Sequence, residues 1–226
     1  MEHKNMKKLV ICLAGLLFAS TLAFSQIVTA SSYFNDVSDY YAKLNTYRCE
    51  IEVDSDGRAM KGNLVYSRPQ FIKVSFNVKG GQILLFDGTT LQLYLPGQET
   101  LLQQPINEKT ADDASISPRG LTLFKRYYTI AFETDATPVP LDEGSDVKVV
   151  NIMLYRRASS EAFESIKLSI DSESKLIRRV VATTPQGGVY RFDMKNYRLN
   201  VPVSNGEFYF EPPAYITSYN NFLFQE

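Results

Sequence analysis

The chain has 226 residues with 24 basic and 25 acidic side chains, a formal net charge of −1, two cysteines, one histidine and no tryptophan. Nothing in that balance suggests a nucleic-acid partner, for which a clustered basic face is expected. The lone histidine, His3, and the first cysteine, Cys12, both fall within the first 25 residues. If that segment is removed, His-based triads, Cys–His dyads, His-rich zinc sites and an internal disulfide are all excluded.

Those first residues read as an export signal. Lys7 and Lys8 precede a compact apolar run over 9–18, and Ala23-Phe24-Ser25 offers a small-residue cleavage site. The run is about ten residues, half of the roughly 20 that a membrane-spanning helix needs. Cys12 follows Ile11 inside the run rather than a small residue at the cleavage point, which argues against lipidation. The expectation is a cleavable signal over 1–25 and a single domain over 26–226, soluble in the periplasm unless the leader persists as an anchor. With no histidine and one thiol left, no cofactor or metal is expected, and a binding protein is favoured over an enzyme.

The first element of the expected domain is a helix over 34–44. Phe34, Val37, Tyr40, Tyr41 and Leu44 recur at three- and four-residue spacing, with Asn35 and Asp36 as start signals. The period then changes to two. Tyr47, Cys49, Ile51 and Val53 share one face of a half-buried strand that turns at Asp54-Ser55-Asp56-Gly57. Further strands are predicted over 64–66, 72–76, 83–86 and 91–95. After an irregular stretch they resume over 147–155, 165–170, 176–182, 189–199 and 208–210. Gly187-Gly188 and Asn205-Gly206 read as hairpin turns, and strands joined so closely should run antiparallel. One helix interrupts the series over 117–128: Ser117 caps it, Pro118 occupies its first turn, and Leu121, Phe124 and Tyr128 follow at helical spacing. It could plug one end of a barrel or act as a movable cover.

Four blocks in this order resemble the periplasmic outer-membrane lipoprotein carriers, the LolA-type family. They are Lys43-Leu44-Asn45-Thr46-Tyr47, Gly62-Asn63-Leu64 leading to Arg68-Pro69, Ile83-Leu84-Leu85-Phe86-Asp87-Gly88 through Tyr94-Leu95-Pro96, and Phe208-Tyr209-Phe210-Glu211-Pro212-Pro213. The resemblance implies a mainly β protein: an incomplete antiparallel barrel covered by an N-terminal helix and a helical lid. It implies a carrier that holds the acyl chains of lipoproteins in an apolar cavity. Such a carrier, as a monomer, takes cargo from an inner-membrane lipoprotein-releasing transporter and passes it to an outer-membrane acceptor.

On that resemblance Arg68 would latch the lid, a role suited to a guanidinium with several donors. Val74 and Leu84 match cavity-lining positions, and Val37, Tyr41, Ile51, Ile72, Phe76, Leu93, Leu121 and Phe124 could complete the lining. Each of these positions would serve an ordinary β core equally well. The absence of tryptophan and the aromatic ending (Tyr215, Tyr219, Phe222, Phe224) depart from the family pattern and leave a glycolipid or another long-chain lipid open as cargo. Two other readings stand beside the carrier. One is a periplasmic sensor or binding module of the same fold. The other is a carboxylate-dependent hydrolase using Asp54 with Asp56, Asp112 with Asp113, or Asp142 with Glu143.

Overall fold

The computed structural model describes residues 28–106 and 118–221. The leader, Ser117, Asp112, Asp113, Phe222 and Phe224 therefore lie outside the described residues. A helix, α1 (Ala30–Lys43), leads into strands β1 (Thr46–Ser55), β2 (Arg58–Ser67), β3 (Phe71–Phe76), β4 (Ile83–Phe86), β5 (Thr90–Leu95) and β6 (Thr100–Pro105). A second helix, α2 (Pro118–Tyr127), runs directly into β7 (Tyr128–Phe132). Then come β8 (Val139–Pro140), β9 (Lys148–Arg156), β10 (Ser165–Asp171), β11 (Ile177–Thr183), β12 (Val189–Leu199) and β13 (Thr217–Asn220). Among the described residues no helix is long and apolar enough to cross a membrane.

All thirteen described strands belong to one curved, unclosed sheet in the order β13-β6-β5-β4-β3-β2-β1-β12-β11-β10-β9-β7, with β8 beside β9. This is the expected incomplete barrel. Every pair is antiparallel except β13 with β6, which is parallel. The expected hairpins form at Asp56-Gly57, both with positive φ, and at Gly187, whose N–H donates to Thr184 O at 3.0 Å. Gly62 sits where β2 and β3 approach closely, since a Cβ there would lie 2.6 Å from Ser75 O.

Pairing carries apolar rows across the concave face. One row runs Ile152, Leu168, Val180, Phe192, Val53 and Met60 across six neighbouring strands. A bulge keeps Tyr197 and Leu199 on this face. The β1–β12 register shifts between Arg48 and Glu50, and Asn196 takes a positive φ of 56°. Without that extra residue, the parity set by Phe192 and Met194 would turn Tyr197 outward.

The helix α1 lies over this face and is fully buried at Phe34 and Val37. It starts four residues before the expected Phe34, because the cap is Thr29 rather than Asn35 or Asp36. Thr29 Oγ1 accepts from the Ser32 N–H and Ser32 Oγ accepts from the Thr29 N–H, both at 3.1 Å. This reciprocal pair satisfies donors that Asn35 and Asp36, exposed on the first turns, leave alone.

The segment expected as a strand over 208–210 is instead a strap on the convex face. A 3-10 turn over Asn205–Phe208 begins it, where Asn205-Gly206 had suggested a hairpin. Phe208 packs on Phe71 with ring centroids 5.4 Å apart, and Phe210 packs on Tyr94 at 4.8 Å. Val65 and Leu85 complete this second small core. Glu207 pairs with Arg48 (Nη2 to Oε2, 2.7 Å), and its carbonyl accepts from Lys73 Nζ at 2.9 Å.

Candidate functional site

The concave face changes character along its length. Under α1 it is a packed core. Val37, Tyr41, Ile51, Ile72, Val74, Phe76 and Leu121 are all buried in one apolar cluster with Phe34, Ile152, Leu154 and Ile170. Leu84 and Phe124 pack against that cluster while only partly buried. The ten expected lining positions therefore share the concave side, but most of them fill it rather than bound a vacant space.

Beyond α1 the packing thins. Cross-strand pairing joins Val74 to Leu84, Leu84 to Leu93, Leu93 to Leu102 and Leu102 to Tyr219. Exposure rises along this row from 6% at Val74, through half-buried leucines, to 55% at Tyr219. A parallel row runs Ile72, Phe86, Leu91 and Gln104, and there Gln104 is buried. An apolar strip thus leaves the core and opens toward the β6–β13 edge. Sequence reasoning placed Leu84 and Leu93 on it and missed Leu102, because β6 lay in the stretch read as irregular.

The strands on either side of residue 106 in sequence, β6 and β7, lie toward opposite edges of the sheet. Ile106, still buried, leaves the β6 side, and α2 delivers the chain to β7 at the opposite edge. Leu121 is buried against the core and Phe124 meets Tyr128 edge-on at 5.6 Å. The helix expected to cover the barrel does pack beside α1, with Leu121 and Phe124 turned inward.

Arg68 is exposed at the end of β2. Its backbone N–H donates to Asn45 O at 2.8 Å, and its Nη1 makes a long 3.4 Å contact to Asn45 Oδ1. The described polar contacts of Arg68 thus run to the junction of α1 and β1.

Under that junction lies a tyrosine cluster that the sequence did not single out. Tyr47 stacks on Tyr66 at 4.9 Å and meets Tyr41 edge-on at 6.1 Å. Tyr41 Oη accepts from the Ile177 N–H at 2.9 Å, and Tyr197 Oη donates to Ile177 O at 2.8 Å. The two hydroxyls thereby bind both backbone groups of Ile177, tying α1 and β12 to β11. Burial pushes the Tyr41 hydroxyl up to about 12 and the Cys49 thiol up to about 12. Cys49 is therefore an uncharged, packed thiol at neutral pH.

Of the acidic pairs, Asp54 with Asp56 and Asp142 with Glu143 fall among the described residues, and neither lies on the apolar strip. Asp142 is ion-paired with Arg179 at 2.8 Å, and that bond holds its carboxyl below the usual range. Asp54 and Asp56 line an open cleft with Arg191 at the β1–β2 and β11–β12 turns, on the convex side. Among the described residues no three potential metal ligands cluster.

A family model described as "Outer membrane lipoprotein carrier protein LolA" matches residues 52–211. No curated protein sequence matches the chain. Among solved structures, an uncharacterized conserved protein from Thermus thermophilus is similar with a TM-score of 0.56 at 12% identity, over 84% of this chain and 98% of that one. A LolA superfamily protein from Nitrosomonas europaea matches with a TM-score of 0.42 at 11% identity, over 80% and 98% of the two chains. MucB in the Pseudomonas aeruginosa MucA/MucB complex matches at 0.43 with 12% identity, over 83% of this chain and 62% of that one.

Proposed function

The chain belongs to the LolA outer-membrane lipoprotein carrier family, and from that premise we propose that it is a soluble periplasmic carrier for the acyl chains of lipoproteins. Residues 1–25 act as its export signal and 26–226 as one carrier domain, working as a monomer. It takes cargo from an inner-membrane transporter and gives it to an outer-membrane acceptor. The observation that carries this reading is the graded apolar row from Val74 through Leu84, Leu93 and Leu102 to Tyr219. A methylene chain laid along it gains about 0.8 kcal/mol per buried CH₂, so one long chain offers on the order of 10 kcal/mol. A strip open at one end lets that energy be gained and given up without unfolding the core. Long-chain lipid should co-purify with the protein and be identified by mass spectrometry of the extract. The delipidated protein should bind a fluorescent fatty acid. Absence of both would refute the carrier reading.

Arg68 is the polar residue proposed to hold the closed form. In the structure it reaches the α1–β1 junction through Asn45, so its effect on the cover passes through α1, against which α2 packs. A hydrogen bond of this kind contributes about 1 kcal/mol net. Arg68→Leu should then shift a marginal open–closed balance by up to roughly tenfold. The variant is expected to take up the fatty-acid probe more readily and to transfer cargo to an acceptor less efficiently. If uptake and transfer both match the parent protein, Arg68 is an ordinary strand-end arginine.

A further inference from the structure

The β13 strand differs from the other long-range pairings of the sheet. It is four residues long, every one of them exposed, and its Thr-Ser-Tyr-Asn sequence offers one aromatic ring and no aliphatic side chain. Its pairing with β6 is the one parallel pairing described. The ends are fixed by the Thr217 N–H to Glu99 O and the Asn221 N–H to Gln103 O, each 2.9 Å. The segment just before it is held differently: Phe208 and Phe210 are seated in the convex-face core and Glu207 is ion-paired with Arg48. Pro212-Pro213 then links this firm anchor to the weakly held strand. Releasing β13 would break its ladder and expose part of β6, yet leave the strap and both apolar cores in place.

The strand it covers is a better template than its present occupant. On β6, Leu101 is buried on the convex side and Leu102 lies on the concave apolar row. The present occupant shows what each position accepts. Tyr219 stands beside Leu102 on the concave side, and Ser218 beside Leu101 on the convex side. The pairing with β13 covers Thr100 to Gln103 of β6.

We infer that β13 is a displaceable placeholder, and that an extended segment of a partner protein takes its place on β6. Such a segment pairs by backbone hydrogen bonds, as in strand addition to an open sheet edge. It carries an aromatic or long apolar residue beside Leu102 and small polar residues on the convex side. Because Tyr219 terminates the concave row beside Leu102, the partner's apolar residue takes its place at the open end of the strip. The pairing surface stands on β6 and β13 alone and does not depend on what fills the strip.

A reversible lock tests this. Gln103 and Asn220 are directly paired, and neighbouring strands lie about 4.8 Å apart, within disulfide range. The doubly substituted Gln103→Cys, Asn220→Cys protein should hold β13 on β6 when oxidised and free it when reduced. Cys49, buried with its thiol pushed up to about 12, stays out of the exchange. The probe is a fluorescent synthetic peptide of residues 214–221, read by anisotropy. A tethered strand competes at an effective concentration in the millimolar range, so the reduced protein should bind the peptide weakly and the oxidised protein at least tenfold more weakly. Thr217→Pro, which removes the Thr217 N–H bond to Glu99 O, should weaken β13 and bind the peptide about tenfold more tightly than the parent protein. Equal peptide binding in the locked and unlocked states, or none in Thr217→Pro, overturns the inference. So does a lock that abolishes binding to phosphatidylethanolamine–phosphatidylglycerol vesicles while the peptide never binds, which would make β13 a lipid-facing segment. Fatty-acid binding, measured on the same samples, reports separately on the carrier function.

Discussion

Phe34→Ala is expected to cost about 3–5 kcal/mol of stability, the range for removing a large aromatic side chain from a packed core. Phe34 has no exposed surface and sits in the apolar cluster that α1 shares with the concave face. At roughly 2–4 °C per kcal/mol for a chain of about 200 residues, the melting temperature should fall by roughly 6–20 °C. The reasoning concerns what α1 covers. Were the helix the wall of a vacant acyl cavity, truncating Phe34 would enlarge an existing space and change stability little. Ile152, Leu154 and Ile170, none of them exposed, leave no such space beneath it. A thermal melt of the purified variant beside the parent decides the matter. A shift of only one or two degrees would mean that the helix face is a wall and not a core.

What could be read from the sequence follows from how each segment buries its side chains. The α1 stripe and strands β1, β3, β5, β9, β10 and β12 bury one face against the core, so their periods are visible and place them within a few residues. The start of α1 is not visible, because Thr29 and Ser32 form their cap through a reciprocal bond that apolar spacing does not reveal. The β6 strand escapes because both faces are used, Leu101 buried on the convex side and Leu102 on the strip, which removes the alternation. The β7 strand escapes because it follows α2 without an intervening turn. Phe208 and Phe210 illustrate the reverse error. Their alternation with exposed Tyr209 is real, but the surface they meet is the convex side of an existing sheet rather than a neighbouring strand. The family motif ending in Pro212-Pro213 locates this strap in the chain without disclosing which side of the sheet it covers.

The same distinction between packed and half-open positions separates two substitutions that the sequence alone treats as equivalent. Val74 and Leu84 are cross-strand partners on the concave side. Val74 is buried in the main cluster, whereas Leu84 is only partly buried at its margin. Val74→Glu would place a carboxylate where water cannot follow, and little or no folded protein should be recovered. Leu84→Glu can turn its charge toward the open end of the strip, so the fold should survive with a melting temperature lowered by a few degrees. Acyl binding should nevertheless suffer. The chain that lies along Leu84, Leu93 and Leu102 would have to bury against a carboxylate, at a cost of about 1–3 kcal/mol. That corresponds to roughly a tenfold to hundredfold loss of affinity for the fatty-acid probe. Glutamine at the same position should lose less, since it carries the same shape without the charge. A folded Leu84→Glu protein that binds the probe as the parent does would move the acyl seat off this row. Collapse of Leu84→Glu along with Val74→Glu would extend the packed core to the sheet edge and leave no strip for a chain to occupy.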